Sequence, residues 1–80
     1  MARAKSAQAL ADPRRVLIYK IIEEKGPVTQ GQLVKLTGMS WGQVQWHLYV
    51  LEREGKIKRV AKDGVTFYTT PRQAIELLSE

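Results

Sequence analysis

TQGQLVKLTGMSWGQVQWHLYVLEREG, residues 29–55, is the stretch that decides the fold. Thr29 offers a side-chain oxygen to a helix start, and Leu33, Val34 and Leu36 supply the apolar positions of a helix running through Thr37. Gly38 then provides the left-handed backbone that lets a chain turn tightly after a helix. Ser40 caps the next helix, which reads to about Glu54 and is closed by Gly55. Two helices joined by a tight glycine turn form the centre of the molecule.

Upstream, Asp12-Pro13 marks another helix start: an acid at the cap and a proline at the first helical position. Val16, Leu17, Tyr19, Ile21 and Ile22 follow. Leu17 with Ile21, and Ile18 with Ile22, are spaced to share a helical face. Gly26-Pro27 ends this helix, and Pro27-Val28-Thr29 reads as a short extended link. Residues 1–11, rich in Ala, Gln, Arg and Lys, read as a short or frayed helix. Downstream the period changes. Ile57 and Val60, then Val65, Phe67 and Tyr68, lie in two β-prone runs around Lys62-Asp63-Gly64, a strong hairpin signal. Pro71 opens a final helix over residues 71–80, with Ala74, Ile75, Leu77 and Leu78 as its apolar residues. The order predicts an α+β, mainly α fold in a single domain over residues 1–80. It has a three-helix core, a two-stranded hairpin over residues 56–70 and an extra terminal helix, which is the winged form of the helix-turn-helix.

The helix over residues 40–54 has two distinct sides. With Val44 at the centre of the buried side, Leu48 and Leu51 fall beside it at about 100° per residue. Trp41 lies in the same arc and reads as core or half-buried packing; it is also kept among the candidate contact residues. His47, at the edge of the arc, reads as a hydrogen-bonded packing residue. Gly42, Trp46, Tyr49 and Arg53 lie opposite, with Gln43, Gln45 and Val50 at the margins. This is the division a groove-reading helix needs, since one face packs and the other is presented to a major groove. Gln43 and Gln45 suit adenine edges, Ser40 and the amides at the helix start suit a phosphate oxygen, and Gly42 permits close approach. Tyr49 and Arg53 lie where phosphates would pass. On the hairpin, alternation puts Lys56, Lys58, Val60 and Lys62 on one face and Ile57, Arg59 and Ala61 on the other. Lys62, near the tip, is the expected wing contact, with Lys58 behind it. Arg14 and Arg15 are expected at the flank.

Composition narrows the function. Thirteen Lys and Arg against eight Asp and Glu give a net charge of +5, which favours polyanionic partners. The absence of cysteine excludes disulfides, thiolate metal sites and cysteine nucleophiles. A single histidine cannot build a histidine-rich metal site within one chain. There is no Gly-rich phosphate loop and no Ser-His-Asp spacing, so an enzyme is not expected, and neither is a cofactor. No apolar run approaches the ~20 residues that cross a bilayer. Residues 1–10 lack the apolar stretch of a secretory signal, which predicts a cytoplasmic protein.

The sequence resembles the ArsR-type and related winged helix-turn-helix transcription factors of prokaryotes. Leu10-Ala11-Asp12-Pro13-Arg14-Arg15, Val28-Thr29-Gln30-Gly31-Gln32-Leu33 and Met39-Ser40 carry the resemblance. So do Val44, His47-Leu48, Leu51-Glu52 and Glu54-Gly55-Lys56-Ile57, over about residues 9–70. It implies a regulator that binds double-stranded DNA, and a homodimer paired through terminal helices, here Leu10, Ile75 and Leu78. Two features depart from the pattern. Without cysteines the metal-sensing role does not carry over. Trp41 and Trp46 stand where the family has small or polar residues. Two other uses of the fold stay open at this point. A protein-docking module would employ Trp46, Tyr49 and Val50, and a single-strand binder would stack bases on Trp46 and Tyr49.

Overall fold

The computed structural model describes residues 10–79. Helix α1 spans Pro13–Lys25, α2 Gln30–Thr37 and α3 Trp41–Arg53. Strands β1 (Lys58–Lys62) and β2 (Val65–Thr69) follow, and α4 spans Pro71–Leu78. The helix expected within residues 1–11 lies, up to residue 9, outside the described residues.

The helices begin where the caps Asp12, Thr29 and Ser40 and the proline Pro71 predict. The Asp12 carboxylate accepts the Arg14 amide at 2.9 Å, and Pro13 occupies the first turn, where no amide is missed. Thr29, Ser40 and Thr70 each build a reciprocal capping box with a glutamine three residues on: Gln32, Gln43 and Gln73. Each box satisfies two backbone donors that a helix start otherwise leaves open. Gly38 (φ 74°) and Gly55 (φ 77°) take the left-handed backbone that stops α2 and redirects the chain after α3.

The core gathers residues from the first three helices, from the links that precede α2 and β1, and from β2. Ile18 and Ile22 of α1, Leu33 of α2, and Val44, Leu48 and Leu51 of α3 meet Val28, Ile57 and Tyr68. Each such aliphatic side chain, fully buried, contributes about 1.5–3 kcal/mol. Of the two candidate pairs in α1, burial selects Ile18 and Ile22, while Leu17 stays exposed. Leu10 packs partly buried against the same cluster.

The wing is an antiparallel hairpin in the register Lys58↔Thr69 through Lys62↔Val65. Asp63 and Gly64 both have positive φ, as a two-residue turn matched to strand twist requires. The extended link before α2 adds a third, single-residue rung. Val28 and Tyr68 exchange both backbone bonds, at 3.1 and 2.6 Å. Tyr68 thus enters the core from one face of the hairpin, while Val60 is buried on the other. Helix α4 lies against both strands.

Gln73 joins the two ends of the fold. Its oxygen accepts from the Thr70 amide at 2.9 Å. Its nitrogen donates to the Ile22 and Glu23 carbonyls, at 2.9 and 3.1 Å, closing the C-terminus of α1. Gly26 makes this approach available, because a Cβ there would collide with the Gln73 side chain and the Ile22 carbonyl.

One polar atom is left over. Among the described residues, the Thr69 hydroxyl is fully buried and has no hydrogen-bond partner. An unmet hydroxyl costs about 1–3 kcal/mol of desolvation. Thr69→Val keeps the shape and β preference and removes that cost. It is expected to raise stability by about 1 kcal/mol, read as a higher urea midpoint with unchanged slope.

Candidate nucleic-acid interface

The turn between α2 and α3 is held at several points. The Thr37 hydroxyl donates to the Leu33 carbonyl (2.7 Å) and accepts from the Met39 amide (3.1 Å). Gln30 at the start of α2 donates to the Trp41 carbonyl at 3.2 Å. These bonds set the angle at which α3 leaves the body.

Along α3 the buried arc holds Val44, His47, Leu48, Val50 and Leu51. Val50 is a correction, since the helical wheel places it at the margin of the outward face. The arc is wider on the His47 side because α1 packs there, and Arg15 Nε donates to His47 Nδ1 at 3.2 Å. Val50 therefore cannot join an exposed docking patch. Trp41 is the opposite correction: it is 56% exposed, not core. Helical side chains lean towards the N-terminus, so at the first position the indole projects past the body rather than onto it.

The outward face presents Gly42, Gln45, Trp46, Tyr49 and Arg53, all exposed. Trp46 and Tyr49 stack, with centroids 5.7 Å apart and planes at 27°. The Arg53 guanidinium lies 5.6 Å over the Tyr49 ring, a cation–π contact. Its other neighbour is Glu54 at 3.8 Å. The result is one ordered row, two aromatics and a cation, running down the helix. Gly42, Gln45, Trp46 and Tyr49 line a shallow hollow at its N-terminal end. Gln45, Tyr49, Arg53, Arg59 and Tyr68 border a groove between α3 and the wing.

Other candidates are engaged within the chain. Gln43 serves the capping box, its oxygen accepting from the Ser40 amide at 3.1 Å. Ser40 Oγ accepts from the Gln43 amide at 3.2 Å and keeps its own proton to donate. Lys62 Nζ donates to the Leu77 carbonyl at 3.2 Å, drawing the ammonium towards the end of α4. Lys58 is exposed on β1. Arg59 pairs with Glu52 of α3 at 3.6 Å, a link between helix and wing that the sequence reading missed. The Ser40-x-x-Gln43 spacing was a legible sign that Gln43 would be used as a cap. Nothing local announced the Glu52–Arg59 pair.

Among the described residues no cluster of His, Asp or Glu could hold a metal ion, and no helix is long and apolar enough to cross a membrane.

A tight two-helix turn, an outward-facing second helix and a hairpin beside it define a winged helix. The winged helix-turn-helix DNA-binding family profile matches residues 12–58, more than half of the chain, and the chain belongs to that family. Solved structures agree. HlyU from Vibrio cholerae superposes with TM-score 0.74 at 26% identity, over 92% of this chain and 84% of that one. An ArsR-like transcriptional regulator from Rhodococcus sp. RHA1 gives TM-score 0.79 at 17% identity, over 94% and 70%. The homodimeric winged helix-turn-helix domain Mb0332 from Mycobacterium bovis gives 0.77 at 20%, over 92% and 68%. No curated protein matches the sequence.

His47 gives this interface a pH signature. Burial holds its imidazole below the ordinary value of 6.5; the Asp12 carboxylate opposes that, and Arg15 and Arg14 add to it. The Arg15 bond needs an unprotonated Nδ1. As pH falls below 6.5 the unfolded chain takes up the proton first, so stability falls towards the lowered folded value. Asp12 acts in a separate window. Its carboxyl, held below 3.8 chiefly by the Arg14 amide, adds stability above that pH and loses it only in stronger acid. The denaturation midpoint is expected to drop as the pH falls through 6.5, and His47→Gln to flatten that segment. A variant with an unaltered profile would remove His47 as the cause.

Proposed function

We propose that this chain is a transcriptional regulator, acting as a homodimer on double-stranded DNA in the cytoplasm. In this reading residues 1–80 make one binding domain, a binding protein and not an enzyme. Helix α3 enters the major groove and the hairpin serves as the wing. The observation that carries the reading is the outward row Gln45, Trp46, Tyr49 and Arg53, held clear of the core on a helix fixed by its turn. The net charge of +5 supports it, since phosphate contacts supply most non-specific affinity. HlyU of Vibrio vulnificus, another structure of this fold, is a transcriptional regulator.

Ser40, Trp41, Gly42, Gln45, Trp46, Tyr49, Arg53 and Lys58 form the proposed contact set. Ser40 and Lys58 address phosphates and Gln45 addresses an adenine edge. Gln43 and Lys62 take smaller parts, because cap and α4 already use them. For the dimer, Ile75 (69% exposed) and Leu78 (64%) stand one turn apart on α4. Leu10 packs on its own core, so the pairing surface rests on α4.

Titration with duplex DNA at several salt concentrations tests the contact set. Binding is expected to fall steeply with salt. Gln45→Ala should cost about 1–3 kcal/mol. Lys58→Ala should flatten the log–log salt slope by about one unit, and Lys62→Ala by less. Negligible duplex binding at low salt, or preference for single strands in competition, would overturn the reading. The dimer is tested separately by sedimentation. The double variant Ile75→Glu, Leu78→Glu is expected to sediment as a folded monomer, and a surviving dimer would move the interface off α4.

A further inference from the structure

Three residues on or beside the outward face of α3 carry amide or guanidinium groups suited to a base edge: Gln43, Gln45 and Arg53. Two already have work inside the chain. Gln43 closes the Ser40 capping box, and Arg53 lies over Tyr49 and beside Glu54. Gln45 is the exposed amide that remains at the helix start. Around it the face is apolar. Gly42, Trp46 and Tyr49 complete the hollow, and its aromatic wall is braced by the 5.7 Å stack. Trp46 and Tyr49 are each more than half exposed.

A hollow of this kind cannot read a base by hydrogen bonds alone. The edges of the major groove carry donors and acceptors, with one apolar exception, the C5-methyl group of thymine. We propose that the hollow formed by Gly42, Gln45, Trp46 and Tyr49 seats a thymine C5-methyl, with the Gln45 amide on an adjacent adenine edge, so that the preferred ligand is A·T-rich duplex. The proposal rests on the duplex-binding reading above and specifies what that site reads. Charge complementarity favours nucleic acid over a protein as the occupant. The chain carries +5, and Arg53 and Lys58 are both exposed, one on α3 and one on β1.

Gly42 supplies the discriminating variant. A Cβ there meets no atom within 4 Å, so Gly42→Ala fits the fold and adds a methyl to the lining of the hollow. Three duplexes of about 24 base pairs, long enough for two half-sites a turn apart, serve as probes. They are alternating dA·dT, the same duplex with deoxyuridine for thymidine, and alternating dG·dC. The first two carry equal charge and the same hydrogen-bonding groups, and differ only in the methyl. The native protein is expected to bind dA·dT tightest and to lose about fourfold in affinity for each seated methyl in the uridine duplex. Gly42→Ala and Trp46→Ala should bind the thymidine and uridine duplexes alike, with circular dichroism showing both variants folded. Equal native affinity for those two duplexes, or a preference for dG·dC, would overturn methyl reading and leave duplex binding intact. Failure to bind any of the three at low salt would overturn both.

Discussion

Burial of the Val44, Leu48 and Leu51 stripe of α3 against α1 and α2 is the constraint on which the rest depends. A helix cannot bury one arc without presenting the opposite one, and here the opposite arc is the proposed contact surface. The αL turn at Gly38 fixes the start of α3, and the Thr37 and Gln30 bonds fix its angle. Packing energy is thereby converted into the direction in which Gln45, Trp46 and Tyr49 point. Rigid presentation lowers the ordering cost of binding.

The wing depends on the same core by a different route. A two-stranded hairpin alone is marginal in water. This one gains a third rung from Val28, inserts Tyr68 into the core and carries α4 against its strands. The Glu52–Arg59 pair then spans from α3 to β1. That exposed pair adds little stability by itself. It does bring the wing and α3 together beside the groove that both border. Gln73 completes the enclosure by capping α1 from α4, which couples the last helix to the first.

The helix boundaries were legible because they are local chemistry. Caps at Asp12, Thr29 and Ser40, the proline Pro71, stops at Gly26, Gly38 and Gly55, and the Asp63-Gly64 turn each act within a few residues. Periodicity gave the core stripe of α3 but blurred at its edges. Val50 is buried on the His47 side, where α1 packs, and Trp41 is exposed because a side chain at the first position of α3 leans past the body. Such margins depend on neighbours distant in sequence, which a helical wheel does not contain.

The sequence by itself determined the order of elements, the winged fold and the basic, aromatic character of α3, since short-range conformational preferences and alternation encode them. Tertiary structure alone decided how the functional groups are divided. It committed Gln43 to a cap, Lys62 to the end of α4 and Arg59 to Glu52, and it left Gln45 exposed beside a stacked aromatic wall. The physical reason is that a long polar side chain bonds whatever lies within its reach, and what lies within reach is fixed only once the chain has folded.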